Sequence, residues 1–104
     1  ISLDTDRDYS TAYEIEIDER GLVRESCWED STWNPEMWLH VDSEPARWRI
    51  ELAIPFNVLG PNAPKRQSAW AVSIVRSIPA MGWQAWPRSA VDGHTESKGL
   101  VLFR

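Results

Sequence analysis

A single cysteine, Cys27, is all that the sequence holds, so neither an internal disulfide nor a cysteine-based zinc site can form within it. No run of eighteen apolar residues occurs, which excludes a membrane-spanning helix. Basic residues do not cluster: eleven Lys and Arg stand against sixteen Asp and Glu, a net charge of −5. That balance argues against nucleic acid and anionic membranes as partners. The two histidines, His40 and His94, lie in unrelated contexts, and no serine sits in a nucleophile elbow, so a nucleophilic triad has no support. No segment carries a 3.6-residue apolar period over ten or more residues, and there are no repeats, low-complexity tracts or internal linkers.

What is present is tryptophan, seven in 104 residues. Indole offers a large flat apolar face and one N–H donor, and so serves cores and ligand platforms equally well. The length suits one domain, residues 1–104. The chain lacks a starting Met and opens inside an apparent strand, which reads as a fragment excised from a longer protein.

The organising stretch is WRIELAIPFNVLG, Trp48 to Gly60. Trp48, Ile50, Leu52 and Ile54 alternate with Arg49, Glu51 and Ala53, the period of a strand with one buried face. Pro55 ends the ladder, and Phe56 to Leu59 reads as a single turn closed by Gly60. Glu51, a carboxylate in an apolar strand, needs a cation if it faces a second layer. Arg76 is the expected partner, which makes the two a structural ion pair.

Other strands follow from the same period. Ile1 and Leu3 open the chain, and Tyr13, Ile15 and Ile17 form the clearest amphipathic strand. Asp18 to Gly21 is a hairpin turn, followed by a short return over Leu22 to Glu25. Ser26 to Pro35 reads as an aromatic loop. Glu36 to Val41 is a strand, Asp42 to Ala46 a tight turn, and Ala69 to Arg76 a strand buried on both faces. Ile78 to Ala90 is a second irregular aromatic loop, Val91 to Lys98 a polar loop, and Gly99 to Arg104 the last strand. Short strands at close spacing predict an all-β antiparallel sandwich, jelly-roll-like, with immunoglobulin-like general architecture. A sheet edge left exposed by missing strands would favour dimerisation.

Three constellations bear on chemistry. Asp4, Asp6 and Asp8 alternate like the opening of a calcium loop. Their match to an EF-hand fails at Tyr9, where Gly is needed, and at Ile15, where Glu is needed, so a solvated acidic turn competes with a structural calcium site. The two aromatic loops combine Trp28 and Trp33 with Glu29, Asp30 and Asn34, and Trp83 and Trp86 with Gln84 and Arg88. Sugar rings stack their C–H faces on indole while such polar groups bond the hydroxyls, although aromatic lids on a sandwich core have the same composition. Glycoside hydrolysis would need two carboxylates flanking one bond, and nothing singles out a second one beside Glu51; Asp30 is the nearest candidate.

With these residues assembled, the chain resembles carbohydrate-binding module family 9 and its family 9-like relatives. DTDRDY (Asp4 to Tyr9) and YEIEIDERG (Tyr13 to Gly21) look like the family's acidic turn and following strand. WNPEMW (Trp33 to Trp38) and the W-x-x-E-x-x-IP pattern of Trp48 to Pro55 look like its core signature. WAVSIVRSIP (Trp70 to Pro79), GWQAW (Gly82 to Trp86) and GLVLF (Gly99 to Phe103) look like its closing elements. The resemblance implies a non-catalytic sandwich, here lacking the family's N-terminal strands, that binds glucan or xylan polysaccharide or oligosaccharide. It also implies an appendage of a secreted, periplasmic or cell-surface protein of carbohydrate catabolism, with structural calcium and with any hydrolase activity in another domain. Trp33, Trp83 and Trp86 would then stack, with Asn34, Gln84 and Arg88 bonding hydroxyls. The rival expectations are an interaction domain with every Trp buried and a small glycosidase using Glu51 and Asp30.

Overall fold

Where apolar and polar residues alternate, the chain extends, and the alternation decides which face each strand turns inward. The computed structural model describes residues 1–92 and 97–104; His94 and the middle of the expected polar loop lie outside them. Eight strands form: β1 (Ser2–Asp4), β2 (Tyr13–Ile17), β3 (Val23–Cys27), β4 (Trp38–Glu44), β5 (Arg47–Ala53), β6 (Ala69–Ile78), β7 (Gly82–Trp86) and β8 (Gly99–Leu102). Two 3-10 turns, Phe56–Asn62 and Arg88–Asp92, complete the described structure.

Every strand pairing is antiparallel, and the fold is all-β and sandwich-like, as the strand spacing predicts. The main sheet runs β3-β2-β1-β6-β7, with β8 also on β6. β6 is its spine. Residues 71–73 pair with β1, 69–72 with β8 and 74–78 with β7. Because β1 and β8 overlap on β6, they occupy opposite edges.

The hairpin β4–β5 is the second layer and shares no ladder with the main sheet. Leu39↔Leu52 and Val41↔Ile50 pair on its inner face. The same chain then bends through Pro55 and the turn at Phe56–Asn62 to deliver Val58 and Leu59 to the core. There Leu3, Leu59, Trp70 and Val72 are buried, with Ile1, Tyr13, Trp33, Ile54, Val58 and Phe103 packed around them. Phe103 meets Trp70 edge-on at a centroid distance of 4.8 Å.

Four expectations need correction. The stretch Ile78 to Ala90 is no irregular loop: it holds β7, because a three-residue turn at Pro79–Met81 returns the chain onto β6, with Met81 N–H donating to the Ile78 carbonyl at 3.0 Å. β4 runs on to Glu44, so the turn before β5 is confined to Pro45 and Ala46. β6 is buried only over Trp70 to Ser73, while Ile74 to Ser77 are exposed. Glu51 and Arg76 form no ion pair. Glu51 lies on the outer face of the hairpin, its side chain 53% exposed and 3.9 Å from Arg49, because the alternation that turns Trp48, Ile50 and Leu52 inward turns Glu51 outward.

Candidate functional site

β7 carries the candidate surface. Gly82 takes φ +95°, which a side chain would resist, and so lets the strand leave its turn in register. Ladder partners share a face, so Gln84 lies beside Arg76 and Trp86 beside Ile74 on the face that also holds Val72. Trp83, paired with Ser77, turns to the opposite face. The two tryptophans are therefore not one clamp.

Trp86 is 49% exposed, yet its ring is fixed. It rests over Gly99 at the start of β8, where a Cβ would come within 2.6 Å of Cη2, and Pro87 closes in beside it. This contact places β8 and β7 along the same edge of β6. The result is a half-exposed indole on a rigid strand, with the exposed amide of Gln84 two residues away and the exposed guanidinium of Arg76 across the ladder. Arg88, also exposed, begins the turn that packs against β7. Such a surface can stack one face of a flat apolar ring and bond polar groups at its edge.

Trp33 is placed elsewhere. Its Nε1–H donates to the Val58 carbonyl at 3.2 Å, and its ring packs against Tyr13 at 4.9 Å. It is a core residue, which corrects its expected stacking role, and exposed Asn34 follows it away from β7. Of the six expected sugar contacts, Gln84, Trp86 and Arg88 gather around β7, while Trp33, Asn34 and Trp83 do not share that face.

Two exposed indoles outside the expected contacts merit notice. Trp28, 62% exposed, borders a hollow of about 310 Å³ with Glu14, Glu16, Arg24 and Glu25. Trp38 stacks on His40 on the outer hairpin face, at 6.3 Å and 16°. The polar loop at 28–31 signalled the first. The second followed only from knowing which way β4 faces.

The acidic turn brings one oxygen each of Asp4, Asp6 and Asp8 within 4.8 Å of one another. Asp4 is fully buried and accepts N–H bonds from Arg7 at 2.6 Å and Tyr9 at 2.9 Å. Asp8 accepts from Ser10 and Thr11. These N–H bonds hold the Asp8 carboxyl below its ordinary range, whereas desolvation, joined by the charges of Asp8 and Asp4, pushes Asp6 up. Calcium takes six to eight oxygens. These three carboxylates, which also close the turn, would supply only part of such a set.

For catalysis the geometry offers little. Glu51 sits on the hairpin's outer face and Asp30 in the turn after β3, its carboxylate bonded to Thr32. Comparison with protein-family models, with curated proteins and with solved structures finds no match.

Proposed function

We propose that this domain is a non-catalytic carbohydrate-binding module of the glucan or xylan type, serving a secreted or cell-surface protein. Trp86 stacks a sugar ring; Gln84, Arg76 and Arg88 bond its hydroxyls. One observation carries the reading: a half-exposed indole held in place over Gly99, sharing its face with an amide and a guanidinium. The motif resemblance along the chain supports it. Any hydrolysis belongs to another domain.

The test is a binding screen against xylan, cellulose and their oligosaccharides, followed by tryptophan fluorescence. Saturable binding that is lost in Trp86→Ala and kept in Trp83→Ala, with the fold intact in both, supports the proposal. A folded protein that binds none of these sugars overturns it in favour of a structural or interaction module.

A further inference from the structure

The outward face of the hairpin β4–β5 carries one large apolar side chain among charges. Alternation puts Trp38, His40, Asp42 and Glu44 on that face of β4, and the ladder sets Ala53, Glu51, Arg49 and Arg47 beside them in turn. Two of these four rungs close on themselves. Arg47 reaches Glu44 at 2.9 Å and Asp42 at 3.6 Å, and Arg49 reaches Asp42 at 3.2 Å. The other two rungs, His40 with Glu51 and Trp38 with Ala53, are open: Glu51 keeps only a 3.9 Å contact with Arg49.

This face belongs to solvent by its own chemistry. A packed layer over it would desolvate three ion pairs, at a cost that their attraction does not repay. Trp38 is 57% exposed there and stands outside the core cluster. Its ring lies within 16° of parallel to that of His40, with centroids 6.3 Å apart. Across the ladder stands Ala53, whose methyl is too short to cover an indole.

The open rungs define what fits them. An exposed indole stacks an apolar C–H face. Beside it, the imidazole of His40 can donate and accept, and the carboxylate of Glu51 accepts. Three carboxylates stand against two guanidiniums on the whole face, so it attracts ions of neither sign strongly. A neutral ring with one C–H face and a hydroxylated edge meets all three conditions.

We infer that the outward hairpin face is a second sugar platform, centred on Trp38, and that the domain is bivalent towards polysaccharide. The inference rests on the sugar-binding reading of Trp86. Trp86 lies on the main sheet and Trp38 on the outward side of the other layer, so a single sugar ring cannot touch both. Trp38 is the weaker platform. Its guanidinium neighbours are held in ion pairs, whereas Gln84, Arg76 and Arg88 stand free around Trp86 among the described residues. By itself it falls short of saturable binding, and its contribution comes after Trp86 has engaged. The domain measures 39 × 29 × 29 Å, which a long polysaccharide can span and a short oligosaccharide cannot. On the polymer the second contact is intramolecular and gains from high effective concentration.

The experiment compares soluble xylan and soluble β-glucan, each with its own hexasaccharide and with concentration counted per sugar unit, on the 104-residue chain and on Trp38→Ala. The expected result is that the parent binds the polymer tighter than the hexasaccharide by about tenfold or more. Trp38→Ala should lose that difference and keep its hexasaccharide affinity. A second readout needs no variant: in the unaltered chain, the Trp38 indole N–H should go on shifting with hexasaccharide after the Trp86 signal has saturated. A motionless Trp38 indole, or unchanged polymer affinity in folded Trp38→Ala, overturns the inference. Shifts of that indole by a dilysine peptide at lower concentration than by sugar overturn it too, and assign the face to a basic partner. A response at Trp86 alone defeats only the second platform, whereas no response at either indole defeats both readings.

Discussion

Gly99 lies beneath the indole of Trp86, so close that a Cβ on residue 99 would stand 2.6 Å from Cη2 and 2.9 Å from Cζ2. The platform thus depends on the absence of a side chain on another strand. Gly99→Ala should push the ring off β8 and destabilise the fold by about 1–3 kcal/mol, the usual cost of overpacking. Sugar affinity should fall even where the protein remains folded. Urea denaturation and a xylan titration of the same preparation check both halves. Unchanged binding would mean that the ring's position is irrelevant.

Trp33 and Trp86 should separate stability from binding. Trp33→Ala removes a ring packed on Tyr13 and leaves the Val58 carbonyl without its indole donor, for a loss of about 3 kcal/mol. Trp86→Ala removes a half-exposed ring and should cost less than half as much while abolishing sugar binding. Equal losses of stability would contradict the division between core and platform.

Asp4 closes the acidic turn from inside the protein. Its two oxygens take the N–H groups of Arg7 and Tyr9, both held at positive φ. Asp4→Ala leaves those donors without their acceptor and should cost about 1–3 kcal/mol. Asp6→Ala, at an exposed position, should cost far less. Thermal unfolding of the pair decides, and a reversed order would show that charge rather than capping governs the turn.

Acid should expose opposing effects among the turn carboxylates. Asp8 is held low chiefly by the Thr11 and Ser10 N–H groups, Asp18 by Arg20 and the Leu22 N–H, and Asp30 by Thr32. Their folded values lie below the unfolded one near 4. The stability they contribute is therefore complete above that value and lost as pH falls through the folded ones. Asp6 is raised, so its contribution runs the other way: stability declines as pH rises from the unfolded value through the folded one. Asp6→Asn should accordingly be more stable than the parent at pH 7, with the difference vanishing below about pH 4. Chemical denaturation at several pH values measures the crossover; a constant difference would refute the assignment.

Much of the architecture was legible in alternation. Tyr13–Ile17 and Trp48–Leu52 each place every second side chain inward, and both fold as that period requires. The same period, applied strictly to Glu51, already turned it outward; pairing it with Arg76 rested on the condition that Glu51 face a second layer, which it does not. β7 was hidden because GWQAW has tryptophans three apart, which a strand sends to opposite faces, leaving no apolar side for a pattern to mark. Trp33 looked available because its loop is polar. Its bond to the Val58 carbonyl joins residues far apart in the chain, and no local pattern reports such a contact. The candidate surface was therefore half visible: Gln84, Trp86 and Arg88 could be named, but Arg76 joined them only once the register of β6 and β7 was fixed.

The hairpin β4–β5 has a further consequence. Its ladder and its ion pairs, Arg47 with Asp42 and Glu44 and Arg49 with Asp42, are all internal. Among the described residues, no hydrogen bond ties Trp38–Ala53 to the main sheet. Only side-chain contact holds the layer down, and much of that contact borders a cleft. β6, by contrast, is bonded along both edges over Ala71 and Val72. The amides of β4 and β5 should therefore exchange with solvent deuterium through a local opening that leaves β6 protected, making the domain two cooperative units of unequal lifetime within one fold.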